Sequence, residues 1–355
     1  MKKIVGTIAA IALAASSAFA GANFGMGFNR GFFTPFAWDG EAKADISTSW
    51  GASPRIGASF SAASEDVGVV ADVKFDGGNV AVNDNAYIWV KPASWLKLNI
   101  GQSFDDTLRG NACFGTWDWL RPGNILGEDL TFVRICNNPL DGAWDPLRGA
   151  IVMLDPIEGL HIAAGLKIDS YNAQTWETVA KNIQVAAGYT IPDVMQIKAQ
   201  WIGNGANGGV INAAVALKAV EGMTLDVGAF IPVEDGSKTT IAAFWGMGFD
   251  AVSVNVNAQV KLAKDDTQTT DVAAGAGVGY DFGNGLSCGA DVRYSQAFKA
   301  NVNNDPAIAF AAWLDKGIAN GTLGVAVQGA LKTGIRDFAA SDFTVAVPVR
   351  VQCFF

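Results

Sequence analysis

The chain reads as all-β, a transmembrane antiparallel β-barrel of about 16–18 strands, and three observations lead there. Apolar side chains recur on alternate residues along nearly the whole length, and half of the 355 residues are apolar, with mean hydropathy +0.22. Beyond residue 20 no stretch approaches the roughly 18 apolar residues that a spanning helix needs. A membrane chain without helical spans must satisfy its backbone by closing strands on themselves.

The beginning of the chain is set apart. Lys2 and Lys3 precede an apolar run from Ile4 to Ala15, followed by small residues up to Ala18-Phe19-Ala20. A charged start, a short apolar run and an A-x-A site read as a secretory signal peptide over 1–20, cut after Ala20. That leaves 21–355 for the barrel. Setting Lys2 and Lys3 aside leaves 23 basic residues against 34 acidic ones, a formal charge of −11. No basic tract is dense enough to neutralise phosphates, so nucleic acid is excluded as a partner.

Strands follow in order, each with one apolar and one polar face because successive side chains point to opposite sides. Leu96, Leu98 and Ile100 alternate with Lys97 and Asn99. Leu160, Ile162, Ala164 and Leu166 alternate with His161, Gly165 and Lys167. Met195, Ile197, Ala199 and Trp201 alternate with Gln196, Lys198 and Gln200. Val252, Val254, Val256, Ala258, Val260 and Leu262 alternate with Ser253, Asn255, Asn257, Gln259 and Lys261. Leu286, Cys288, Ala290 and Val292 alternate with Ser287, Asp291 and Arg293. Short turns at 91–94, 155–158, 192–193, 249–250 and 281–285 take turns with longer polar stretches near 169–181, 232–238, 263–270, 297–305 and 332–342. Short turns on one side and long loops on the other are the pattern of spanning barrels. About 18 strands count from residue 43 onward, or 16 if the weak segments 43–62 and 149–154 drop out. Aromatic residues near strand ends, among them Trp89, Trp95, Tyr189, Trp201, Phe230, Phe249, Tyr280, Tyr294 and Trp313, read as interfacial girdles.

The last strand carries a resemblance. Val347, Val349, Val351, Cys353 and Phe355 share one face, and the chain finishes on Phe. This resembles the closing strand and assembly signal of bacterial outer-membrane barrels of the porin type. The resemblance implies outer-membrane lipid and the barrel-assembly machinery as partners. Ser53-Pro54-Arg55-Ile56-Gly57, Ile88-Trp89-Val90-Lys91-Pro92 and Phe104-Asp105-Asp106-Thr107-Leu108-Arg109-Gly110 are similar to outer-membrane barrels of spirochaetes. Porins of this size are often trimers, so a homotrimer is expected by analogy alone.

Candidate functional residues fall in two groups. The connection over about 104–148 is too long to be a passive link, and in porins the longest loop often narrows the lumen. Asp105, Asp106, Arg109, Asp118, Arg121, Glu128, Asp129 and Arg134 would set the charge of such a constriction. The second group is the polar side of the strands: Lys74, Lys97, Lys167, Lys198, Lys218, Lys261, Arg293, Lys332 and Arg350, against Asp72, Asp226 and Asp291. Nine bases and three acids on a wall favour anions. Cys113 and Cys136 share the long loop and form a candidate disulfide; Cys288 and Cys353 read as small lipid-facing residues.

Patterns that suggest chemistry fail on context. Gly203-Asn204-Gly205-Ala206-Asn207-Gly208 matches G-x-G-x-x-G but leads into another alternating segment, not a helix. His161 is the sole histidine, which rules out multi-histidine metal sites, and no C-x-x-C occurs. Catalytic residues, cofactor and metal are therefore all expected to be none. The expected function is passive diffusion of small hydrophilic solutes or ions through a water-filled barrel. A surface adhesin or structural barrel with a closed lumen is the alternative.

Overall fold

The computed structural model describes residues 22–25, 29–48, 51–52, 55–76, 79–110, 120–121, 132–137, 145–168, 173–205, 208–233, 237–299, 304–335, 338 and 341–353. The expected signal peptide, Cys113, Asp118, Glu128, Asp129 and Phe355 lie outside the described residues.

Backbone groups inside a bilayer need partners within the chain, and nearly every described segment meets this need as an antiparallel strand. The first are β1 (Ala22–Gly25), β2 (Asn29–Trp38), β3 (Ala42–Asp45), a small hairpin of β4 (Ser47–Thr48) and β5 (Gly51–Ala52), then β6 (Arg55–Ala63). They are followed by β7 (Val67–Asp76), β8 (Asn79–Ala93), β9 (Leu96–Ser103), β10 (Leu147–Ile157), β11 (Leu160–Lys167), β12 (Gln184–Ile191) and β13 (Met195–Gly203). The rest are β14 (Gly209–Leu217), β15 (Met223–Pro232), β16 (Thr239–Phe249), β17 (Val252–Leu262) and β18 (Thr270–Asp281), then β19 (Leu286–Phe298), β20 (Ala307–Ile318), β21 (Gly321–Leu331) and β22 (Phe343–Cys353).

From β6 to β22 each strand pairs with the next, and β22 pairs with β2 from Asn29↔Cys353 to Trp38↔Val345. On its other edge β2 pairs β3, and touches β6 at Arg30↔Arg55, while β1 pairs β6. So β1 and β2 are one interrupted strand, and β3 and β6 are its interrupted neighbour, broken by the β4–β5 hairpin. Counted this way, the ladder returns to its start after 18 strands. The total agrees with the sequence expectation, but counting from residue 43 leaves out the strand over 22–38.

That strand hides its period. Between Phe33↔Val349 and Phe36↔Val347 one extra residue enters β2, so Thr34-Pro35 oppose Pro348 in a bulge. Two prolines that cannot donate to the ladder thus meet at the closing seam. This places Pro348, which the alternation alone leaves without a role.

Outward positions are the apolar ones, as in Ile100 at 58% and Val256 at 49% exposure, and inward neighbours such as Asn99 and Asn257 are buried. In β22, Thr344, Ala346 and Gln352 are buried while Phe343 and Val351 are exposed. Of the aromatics assigned to girdles, Trp95, Tyr189, Phe249 and Tyr280 are exposed. Trp89, Phe230 and Trp313 instead face inward: Trp89 lies over Gly68, Trp313 over Gly289, and Phe230 is buried. The stretch near 169–181 holds a feature that its polarity does not announce, helix α1 (Trp176–Lys181), capped by Thr175 and closed by a Glu177–Lys181 pair at 2.8 Å.

A charge on the outer face at mid-strand tests this orientation. Val256→Arg should cost about 2–4 kcal/mol in lipid, read by urea titration in vesicles, whereas Asn255→Lys, inward and half-exposed, should cost much less.

Candidate functional site

Following β9 the chain does not leave the barrel mouth; it turns back inside. Its first limb, 104–109, pairs with the limb at 132–136 through reciprocal backbone bonds of 3.1 Å between Asp105 and Ile135. A backbone entering the lumen brings donors and acceptors that must be satisfied. Inward amides of three successive strands do so. Gln184 of β12 donates to the Cys136 carbonyl at 2.6 Å and accepts from its N–H at 3.3 Å. Gln200 of β13 does the same for Arg134, at 2.8 and 3.2 Å, and Asn212 of β14 donates to the Phe132 carbonyl at 2.7 Å. Residues 132, 134 and 136 alternate as on a strand, so the side-chain amides act as the missing neighbour strand.

Apolar contacts complete the seat. Ile135, Leu108, Val133 and Leu147 form a buried cluster with Ile151, Met153, Ala163 and Ala186 of the wall. Three inward glycines make room: a Cβ at Gly165 would fall 2.5 Å from Ile135 Cγ2, one at Gly188 2.5 Å from Leu108 Cδ2, and one at Gly324 2.5 Å from Leu120 Cδ1. Gly324 lies on β21, half the ring away from β12. There Gln328 donates to the Arg121 carbonyl at 3.0 Å, and Arg121 Nε stands 3.7 Å from Asp291. The described parts of the loop therefore touch opposite walls.

Its charged side chains are held in place. Arg134 donates to Asp106 at 3.1 Å and lies 3.6 Å from the centre of the Phe104 ring. Arg109 stacks on Phe132 at 4.4 Å. Asp105 is buried, bonded to Thr107 Oγ1 at 2.7 Å and His161 Nε2 at 2.9 Å, and His161 Nδ1 meets Asp155 at 2.7 Å.

Filling is one-sided, which corrects the wall list read from the sequence. Lys198, Asp226, Arg293 and Asp291 face inward but are only 2%, 0%, 3% and 6% exposed. They are packed into the β13–β19 side. On the other side Asp72 and Lys74 of β7, Asp84, Tyr87 and Trp89 of β8, and Lys97 of β9 remain half-exposed. Lys167, Lys261 and Arg350 are also half-buried, with Arg350 paired to Asp315. Lys218 is exposed just past β14, beside a short turn. Lys332 has left the wall: φ is 59° there, and it donates to Asp342, whose carboxylate raises its pKa above the ordinary lysine value. Cys136 is buried at the base of the loop. His161, on the polar side of its strand, is buried and anchors the root of the loop. At the G-x-G-x-x-G match, between β13 and β14, the Asn204 N–H donates to the Gly208 carbonyl at 3.0 Å and no helix follows.

The amides Gln184, Gln200 and Asn212, and the glycines beneath the loop, are the residues that the sequence reading missed. Their signal was present as polar amides and glycines on inward positions, but nothing in the spacing says that a loop lies on them. Gln200→Leu strips both bonds from Arg134, and leaving such buried groups unpaired costs about 1–3 kcal/mol. Tryptic cleavage after Arg134 in the refolded protein should then accelerate about tenfold or more, while Ala199→Leu on the outer face leaves it unchanged.

No protein-family model matches the chain, and no curated protein sequence matches it. Solved structures do. OpdK of Pseudomonas aeruginosa, solved with vanillate, aligns with TM-score 0.58 at 13% identity over 94% of this chain and 99% of its own. An anion-selective porin from Comamonas acidovorans aligns with TM-score 0.56 at 9% identity, over 94% and 99%. OmpT of Vibrio cholerae aligns with TM-score 0.53 at 12% identity, over 94% and 97%. At these identities the likeness establishes the fold: an antiparallel β-barrel of the bacterial outer-membrane kind.

Proposed function

We propose that this protein is a porin of a bacterial outer membrane, passing small hydrophilic solutes or ions by diffusion. The observation that carries this reading is the inward loop: it is pinned to the β12–β14 wall, while charged inward groups along β7–β9 stay half-exposed. Barrels of about this strand number leave an aqueous channel. Width between loop and wall sets the size limit, and the charges facing the gap set selectivity. Asp106, Arg109 and Arg134 stand on the loop, Asp72, Lys74, Asp84 and Lys97 on the wall. Among half-exposed inward groups away from the loop, Lys74, Lys97, Lys167, Lys238, Lys261 and Arg350 outnumber Asp72, Asp84, Asp271 and Asp315, which favours anions. No step requires a catalytic group, cofactor or metal.

The finer parts of this reading rest on the sequence. Residues 1–20 would export the chain, the alternation from Val347 to Cys353 would address it to the assembly machinery, and the spirochaete likeness over 53–110 points to a source. A trimer is supported by the fold neighbour OmpT, one structure of which is described as a trimer form.

Planar-bilayer recording of the refolded mature protein tests the reading. Discrete open steps are expected, with a reversal potential in a salt gradient showing anion preference that weakens in Lys74→Gln/Lys97→Gln. A folded barrel that never conducts would favour the closed-lumen adhesin.

A further inference from the structure

His161 stands on β11 near its short-turn end, between two carboxylates on different elements. Nε2 is 2.9 Å from Asp105 of the loop, and Nδ1 is 2.7 Å from Asp155 of β10. Carboxylates accept, so both contacts are hydrogen bonds only when both ring nitrogens carry protons. A neutral ring has one bare nitrogen, and its lone pair then faces a carboxylate at hydrogen-bond distance.

The two partners differ. The Asp105 side chain is 5% exposed and held by Thr107, whereas that of Asp155 is 61% exposed. Asp155 borders a cavity of about 300 Å³ lined also by Thr107, Leu108, Glu158, Gly159 and Thr190, which gives it space to turn away. Other charges nearby are Glu158 on the turn and Lys97 of β9, which acts on Asp105; the lining from β12 contributes only the hydroxyl of Thr190.

We propose that His161 is a proton-dependent latch that positions the inward loop. In its charged form the ring ties the root of the loop to β10 and β11 and neutralises the buried Asp105. When the proton facing Asp155 leaves, Asp155 swings into the cavity and the tie to β10 is lost. Asp105 then keeps one neutral donor and loses its nearest counter-charge, which a buried carboxylate tolerates poorly. The latch holds at low pH and loosens as pH rises. Its expression as a current change rests on the porin reading; the latch itself does not.

The chain has a single histidine, so one ¹⁵N-labelled residue reports the site. In refolded protein at about pH 6, both ring nitrogens of His161 should carry hydrogen-bonded protons. Between about pH 6 and 9, tryptic cleavage after Arg134 should rise roughly tenfold in wild type relative to His161→Gln, which keeps one donor to Asp105 but cannot titrate. Asp155→Asn should flatten the same profile, and bilayer currents should change with pH in wild type and lose that change in both variants. A ring with a single proton at about pH 6, or a cleavage profile identical in wild type and His161→Gln, overturns the latch. Absence of current in every protein overturns the porin reading and leaves the cleavage and ¹⁵N results to decide the latch.

Discussion

A peptide group carried away from water has to find its hydrogen-bond partner within the protein, and the whole architecture answers that requirement twice. At the level of the wall, the answer is the ladder in which β22 returns to β2. Inside the wall the problem recurs, because the loop after β9 takes its own backbone into the lumen. There the neighbour strand is replaced by Gln184, Gln200 and Asn212, whose amides present a donor and an acceptor much as a peptide does. Both solutions use the same chemistry at different scales. The loop is thus a further, short strand, laid over three strands of the wall and held by their side chains.

Steric allowance decides where that extra strand goes. Gly165, Gly188 and Gly324 remove the Cβ atoms that would collide with Ile135, Leu108 and Leu120, and the amides sit beside two of these sockets. The result, among the described residues, is a set of inward side chains that are buried on one side and half-exposed on the other. Charges that look equivalent along the sequence therefore have different roles: Lys198 and Asp226 belong to the buried side, Lys74 and Lys97 to the half-exposed one. Selectivity then depends less on the total charge of the wall than on which part of it the loop leaves uncovered.

The fold was legible because period-two alternation survives wherever a strand has lipid on one side and polar space on the other, as in β17 or β22. It failed over 29–38, where Phe32 and Phe33 face opposite ways and the bulge at Pro35 shifts the phase. It was weak over 43–62 because the β4–β5 hairpin interrupts a strand that is continuous only through its pairing. For the site, composition pointed to the loop and its charges but not to its seat. An inward glutamine looks the same whether it meets water or a peptide. His161 shows the same limit: its inward position followed from parity, while Asp105, 56 residues away in sequence, reaches it only through the return of the loop, and Asp155, 6 residues away, only across the β10–β11 hairpin.

The seam between β2 and β22 joins residues more than three hundred positions apart, so the cylinder cannot shut until its final segment is in place. Pairings that remote carry the greatest chain-ordering cost and form late. Until then both edges are open templates for a foreign strand. Pro35 and Pro348 also place two residues without an N–H in this junction, where the register shifts. The same two prolines, which have no N–H to offer, discourage a foreign strand from pairing along the full length of either edge before the cylinder shuts.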